Sequence, residues 1–171
     1  MQFKNAWHIL EEDETFINWK KKHPVAIFSY AFTTLDKEIM EDWQIGFYDP
    51  EEDKITTFSL MNQKIVDNRT DEVFKEPGSR INPVEMNKVK LTVNEILVIV
   101  DSFLRKEYSG EVVNKKIMIL QNLPEFGTIW NITAISFNFN SVNLKVDAET
   151  GRVKVHKLTS LKEMFSKDSL L

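Results

Sequence analysis

One predicted turn of the sequence contains four carboxylates, and it is therefore the first candidate for a metal site. Asp49, Glu51, Glu52 and Asp53 lie within five consecutive positions, and a hard cation such as Ca²⁺ prefers several carboxylate oxygens. Their spacing does not match an EF-hand loop, which distributes its ligands over about twelve positions. An aspartate and a proline ahead of such acids are also typical of a solvated hairpin tip. We therefore expect no metal ion and no cofactor at this turn.

The histidines offer a second possible set of ligands. His8, His23 and His156 are far apart in the sequence, in a terminal segment, at a helix end and on the solvent face of a strand. Metal sites built on imidazole usually need two or three rings to converge. We therefore expect the three histidines to be exposed and to have structural roles.

Motifs of the common enzyme classes are missing from the sequence. It contains no glycine-rich phosphate loop, no dinucleotide fingerprint, no His-Glu-x-x-His and no Gly-x-Ser-x-Gly. Asp147 and Glu149 form another acidic turn, but the pattern predicts no apolar pocket that would separate their pKa values for acid and base catalysis. We predict no catalytic residues.

Aromatic residues at the end of a predicted strand suggest a different kind of function. Apolar and polar residues alternate along positions 127–158, and this alternation places Ile135, Phe137 and Phe139 on the otherwise charged face of a sheet. Tyr48 occupies a comparable side of the first half. Two interpretations are open. Either these residues pack between the two halves, or they bind a partner, because exposed aromatic clusters mark interaction sites.

Composition limits the partners and the location of the protein. Twenty-two basic and 26 acidic residues give a net charge of −4, which disfavours nucleic acid and anionic membranes as partners. The absence of cysteine excludes disulfides and thiolate metal sites. The N-terminus lacks the apolar core of a signal peptide, and no apolar run approaches the roughly 18 residues of a membrane-spanning helix. We expect a cytoplasmic protein.

Two periodicities predict the elements that position these residues. Three alternating runs within 127–158, separated by turn signals, predict antiparallel strands with one apolar face. Thr92 and Glu95 have the spacing of a capping box, and the apolar stripe over 92–108 predicts a helix that covers this face. The run at 115–120 predicts a further strand.

The first half has the same order of elements. Residues 12–22 begin with acids and end with lysines, which suits the helix dipole, and Asp13 can cap this helix. Residues 67–91 are rich in charge and contain two prolines, which predicts a connector. Between the helix and the connector, the pattern predicts three strands, at 25–35, 43–48 and 55–61.

A shift of 87 positions superimposes the two halves without a gap and places Trp43 on Trp130. The order of helix, strand, turn and strand matches, which indicates duplication. We predict an α+β fold of two tandem units, each a helix followed by about three to four antiparallel strands. The predicted domains are 1–86, which includes the connector, and 87–171.

The second half resembles the PepSY domain, a small helix-plus-sheet module whose final hairpin has an aspartate, a turn with glycine and a following valine. The matching residues are Asp147, Gly151 and Val153. The first half shares the resemblance through the repeat, with Lys64 where the glycine would be. PepSY modules occur mostly outside the cytoplasm, in propeptides of secreted metalloproteases and in membrane-anchored proteins. The resemblance therefore implies an inhibitory or regulatory role toward peptidases. The lack of an export signal departs from that pattern.

Two functions follow as expectations. The first is a non-enzymatic interaction or regulatory module that binds a peptide, a protein or a second copy of itself, through a sheet edge or through the surface of Phe137 and Phe139. The alternative is a small-molecule-binding or enzymatic domain that uses a cavity between helix and sheet. A deep polar pocket near Trp43 or Trp130 would favour the alternative.

Overall fold

The computed structural model describes residues 1–37, 39–73 and 80–161. Within these residues the protein is α+β, and the prediction of this fold class is confirmed. The helices are α1 (Phe3–Glu12), α2 (Glu14–Lys22) and α3 (Val93–Glu107), with a 3-10 turn at Met86–Lys88. The strands are β1 (Ile27–Asp36), β2 (Ile39–Met40), β3 (Gln44–Asp49), β4 (Lys54–Met61), β5 (Lys64–Glu72), β6 (Val113–Leu123), β7 (Gly127–Ser136), β8 (Asn140–Asp147) and β9 (Val153–Ser160).

These strands form one antiparallel sheet in the order β5-β4-β3-β1-β6-β7-β8-β9, with β2 paired to β1. Strands β1, β3, β4 and β5 come from the first half of the chain, and β6 to β9 come from the second. The two sets meet where β1 pairs with β6 over seven residue pairs, among them Phe32 with Ile119 and Thr33 with Met118. Backbone hydrogen bonds therefore join the halves into one continuous sheet.

One face of the sheet is covered by the helices. On β7 the buried apolar side chains on this face are Trp130, Ile132 and Ala134, in the alternation that the sequence predicts. They belong to the same apolar cluster as Leu10 of α1 and Ile96 of α3. The predicted apolar face and its helical cover are confirmed.

The centre of the core holds the two tryptophans that the sequence repeat aligns. Trp43 and Trp130 are both 0% exposed, and their ring centroids are 6.1 Å apart. Phe3 of α1 lies 5.4 Å from the first ring and 6.2 Å from the second. The Trp43 indole N–H donates to the carbonyl of Met1 at 2.9 Å. The two halves therefore share one core as well as one sheet.

Both predicted helix caps are present. The Asp13 side chain accepts from the backbone N–H of Thr15 at 2.7 Å. Thr92 and Glu95 form the full capping box, in which each side chain accepts from the other residue's backbone N–H. Such caps stabilise a helix by about 1 kcal/mol each, because they satisfy backbone donors that have no partner inside the helix.

Two elements differ from the sequence predictions. Helix α1 was not predicted, although Phe3, Ala6 and Leu10 recur at helical spacing and are buried. The prediction that residues 67–91 are a connector is wrong at its start, because β5 extends to Glu72 and pairs with β4. Strand β5 is largely exposed and carries no apolar alternation, so its sequence lacks the signal of a half-buried strand.

Gly151 lets the β8–β9 turn approach helix α3. Its φ is +74°, and a Cβ placed there would lie 2.4 Å from Ile99 Cδ1. Gly127, at the start of β7, has a similar φ of +70° but no heavy atom within 4 Å of such a Cβ. The two glycines thus share the backbone constraint and differ in packing.

We expect Gly151→Ala to lower the free energy of unfolding by about 1.5–3 kcal/mol, since the methyl ends of Ile99 and Leu91 must move aside, and Gly127→Ala by about 1 kcal/mol. The left-handed backbone accounts for the shared part, and the clash with α3 accounts for the difference. Urea denaturation of both variants measures this. Equal losses would contradict the close packing of the turn on α3.

The Asp147 carboxylate holds the same turn together. It accepts from the backbone N–H groups of Glu149 and Thr150 and lies 2.7 Å from Lys154 Nζ. Burial opposes ionisation, but the hydrogen bonds from Lys154 and Thr150 outweigh it and lower the Asp147 pKa to about 2. The folded protein therefore favours the ionised carboxylate.

An unfolded aspartate has a pKa of about 3.9, so ionised Asp147 contributes on the order of 1–2 kcal/mol of stability at neutral pH. This contribution is present above pH about 4 and is lost as the pH falls through about 2. We expect the difference in unfolding free energy between the wild type and Asp147→Asn to shrink over that range. Urea titrations at several pH values test it, and a pH-independent difference would contradict the assignment.

Candidate functional site

The turn between β7 and β8 exposes two phenylalanines beside a valine. Phe137, Phe139 and Val112 are 61%, 62% and 64% exposed, and the Phe137 N–H donates to the Val112 carbonyl at 3.0 Å. We name these three residues the aromatic tip. Single exposed apolar side chains are ordinary on protein surfaces, but a group of neighbouring ones is typical of an interaction site.

The backbone at the aromatic tip is also unfavourable for the residue that occupies it. Phe139 has a φ of +60°, a region in which a residue with a Cβ pays about 1–2 kcal/mol. Asparagine tolerates this conformation far better, and both Asn138 and Asn140 are adjacent in the sequence. The backbone conformation at position 139 therefore favours an asparagine over a phenylalanine.

Side-chain hydrogen bonds attach the turn of the aromatic tip to Gly110 and Glu111, which lie shortly before β6. Asn138 Nδ2 donates to the Gly110 carbonyl at 3.2 Å, and Asn140 Nδ2 donates to Glu111 Oε1 at 2.8 Å. Hydrogen bonds from Ser136 and Asn140 lower the pKa of the Glu111 carboxyl, which favours the charged acceptor. The turn is therefore held in place, and it presents its phenylalanines on a rigid base.

The other two residues of the predicted partner surface are not part of the aromatic tip. Ile135 is half-buried on β7, directly before the aromatic tip. Tyr48 is on β3, only 8% exposed, and its hydroxyl donates to Asp53 Oδ1 at 2.7 Å. Strands β1 and β6 separate β3 from β7. Packing between the halves does not explain Phe137 or Phe139, because both are exposed and the halves meet at the β1–β6 pair.

A groove of about 430 Å³ lies on the sheet face opposite the helices. Phe32, Ile55 and Ile119 give it an apolar floor, and the side-chain amides of Gln121 and Asn122 supply polar groups. An apolar floor with a few polar groups is typical of a site that binds a small molecule.

Two cavities beside α3 flank one ion pair. Lys116 Nζ lies 2.9 Å from Asp101 Oδ1, and the cavities on either side are about 470 and 480 Å³. This arrangement meets part of the cavity hypothesis, since the space lies between helix and sheet. Trp43 and Trp130 do not line it, because both are fully buried in the core.

The structure brings His23 together with two carboxylates of the acidic turn. His23 Nδ1 lies 3.0 Å from Asp49 Oδ2 and 3.6 Å from Glu52 Oε1. His8 and His156 are exposed as expected, but the expectation is wrong for His23, whose side chain is 21% exposed. No local pattern in the sequence links these residues. They meet because the β1–β3 pairing places the start of β1 beside the end of β3.

Comparisons with known proteins bear on the fold. No protein-family model matches the chain, and no curated protein matches it. The fold is similar to the crystal structure of a putative lipoprotein from Clostridium difficile 630, with a TM-score of 0.55 over 88% of this chain and 97% of that chain. The two are 14% identical, so the likeness shows the fold alone. Among the described residues, none of the helices has the length and apolar character needed to span a membrane.

We expect Phe139→Asn to raise the free energy of unfolding by about 0.5–1 kcal/mol, because asparagine fits the left-handed backbone and needs less apolar hydration. Phe137→Asn is the matched control, since residue 137 lacks the positive φ, and it should change stability by less than about 0.5 kcal/mol. Urea denaturation measures both. A loss of stability in Phe139→Asn would show that Phe139 serves the fold.

Proposed function

We propose that the protein is a non-enzymatic binding module that docks a protein partner through the aromatic tip of Val112, Phe137 and Phe139. The observation that carries the proposal is the pair of phenylalanines on one turn, Phe137 and Phe139, which are 61% and 62% exposed. Neighbouring exposed aromatic side chains of this kind are typical of interaction sites.

The energetics of association fit this role. Full burial of a phenylalanine side chain against a partner is worth about 1.5–3 kcal/mol, and aromatic residues are frequent among the few side chains that dominate binding energy. The hydrogen bonds of Asn138 and Asn140 already hold the turn, so little ordering is needed on association. A partner with an apolar pocket and a polar rim matches this surface.

The net charge of −4 supports a protein partner over nucleic acid or an anionic membrane, as the composition predicts. The cytoplasmic location stays a prediction, because a structural neighbour at 14% identity bears on fold alone.

We also propose that the chain arose by duplication of one helix-plus-sheet unit. The shift of 87 positions maps the β1–β6 pair onto itself, since Phe32 lies opposite Ile119, its own equivalent. This is the self-complementary contact expected of a twofold pair. The β1–β3 register recurs in β6–β7, through the pairs Tyr30 with Gly46 and Ile117 with Thr133.

A relation to PepSY modules belongs to the same proposal. It rests on Asp147, Gly151 and Val153 in the β8–β9 hairpin, and the roles of Asp147 as a turn cap and of Gly151 at positive φ support it. The domain division at 86 and 87 and a regulatory role toward peptidases stay predictions.

The proposal is tested in two steps, which first identify a partner and then measure its association with the protein. A photoreactive phenylalanine analogue at position 137 should cross-link one protein from cell extract, whereas the same analogue at Val98, an exposed position on α3, should not. With that protein purified, calorimetry should show at least about tenfold weaker binding for Phe137→Asp and Phe139→Asn. Val98→Gln should bind as the wild type does.

Sedimentation of the chain alone shows whether the partner is a second copy. The proposal fails if the chain is monomeric and variants that keep the wild-type fold also keep every partner of the wild type.

A further inference from the structure

A mixed nitrogen and oxygen cluster lies where helix α2 ends and strand β3 ends. His23 follows the last residue of α2, Asp49 ends β3, and Glu52 is in the turn to β4. His23 Nδ1 lies 3.0 Å from Asp49 Oδ2 and 3.6 Å from Glu52 Oε1, and the three ligand atoms lie within 4.8 Å of one another. We propose that His23, Asp49 and Glu52 bind a divalent transition-metal ion such as Zn²⁺.

The separations of the three atoms suit a tetrahedral ion. Zinc binds imidazole nitrogen and carboxylate oxygen at about 2.0–2.2 Å, so two ligands of a tetrahedral site are about 3.3–3.5 Å apart. The two separations from His23 Nδ1, 3.0 and 3.6 Å, lie on either side of that value. Glu52 is 47% exposed and can adjust to the ion. Three protein ligands leave the fourth position to water.

Surrounding groups hold two of the ligands in orientation. Asp49 is nearly buried, and its Oδ1 accepts from the backbone N–H groups of Glu51 at 2.9 Å and Glu52 at 3.4 Å, which leaves Oδ2 directed at His23. The His23 ring stacks on Trp19, with centroids 4.8 Å apart and planes at 21°. Fixed outer contacts of this kind orient metal ligands and strengthen binding.

The charges near the cluster also bear on the site. Burial opposes ionisation of Asp49, but hydrogen bonds from the Glu51 backbone and from His23 outweigh it, and the Asp49 pKa is lowered. Lys20 brings a positive charge to the same region, but its Nζ donates to the carbonyls of Pro24 and Ala26. With two carboxylates and one lysine, the site has a net negative charge, which favours a divalent cation.

The donor set selects among metals. Imidazole suits Zn²⁺, Cu²⁺, Co²⁺ and Ni²⁺, whereas Ca²⁺ and Mg²⁺ prefer shells made of oxygen. If the contact between His23 and the two carboxylates served only to join α2 to the sheet, no preference among these metals would be expected.

Isothermal titration of the full chain with ZnCl₂ tests the proposal. We expect one strong site in the wild type, at least about 100-fold weaker binding in His23→Ala, and no heat from Ca²⁺ or Mg²⁺. His8→Ala is the matched control, because His8 pairs with Glu12 at 3.3 Å on the exposed face of α1, and it should bind zinc as the wild type does. Circular dichroism verifies that each variant is folded.

Tryptophan fluorescence gives a second readout at the same site. Co²⁺ should quench the emission of Trp19 through its contact with His23, so quenching should be lost in Trp19→Phe and in Glu52→Gln. Glu52→Gln also replaces His23→Ala if the latter does not fold, since Glu52 is at the surface. Absence of zinc heat in the wild type, or equal zinc binding in the wild type and His23→Ala or Glu52→Gln, would overturn the proposal.

Discussion

The antiparallel pairing of β1 with β6 is the interaction on which the rest of the structure depends. It spans seven residue pairs, and the contact between Trp43 and Trp130 forms part of the core of the same sheet. Without this pairing each half would have an unpaired strand edge in place of the joint, and such edges promote aggregation. With it, the outer strands of the sheet in the described part of the chain are β5 and β9, and charged residues on both protect these edges.

Strand β6 also connects this joint to the proposed binding surface. Gly110, Glu111 and Val112 lead directly into β6, and their backbone and side chains hold the turn that carries Phe137 and Phe139. The same strand thus joins the halves and supports the aromatic tip. A surface supported in this way loses little conformational entropy on association, which is what a binding module requires.

Local patterns predicted the elements that bury one face and have capped ends. The caps at Asp13 and Thr92 and the alternation along β7 were readable because each depends on residues close in sequence. Strand β5 was missed because it is exposed, and the β1–β6 pairing because it joins segments about 90 residues apart, as the partners Phe32 and Ile119 show. Long-range pairing leaves no periodic signal within either strand.

The candidate sites also differ in whether the sequence could predict them. Alternation placed Phe137 and Phe139 on the polar side of the sheet, but the positive φ of Phe139 is a property of the folded turn. His23 and Asp49 meet only through the register of β1 and β3, so their types and spacing in the sequence did not link them. The sequence therefore predicted the exposed phenylalanines, but it did not predict the cluster of His23, Asp49 and Glu52.

Native-state hydrogen exchange tests most directly the claim that both halves form one sheet around one core. The account predicts that amides bonded between β1 and β6, such as those near Phe32 and Ile119, exchange only through global unfolding, with the same free energy as the most protected amides of β3 and β7. Exchange of the two halves with separate free energies, or fast exchange along β1 and β6, would contradict it.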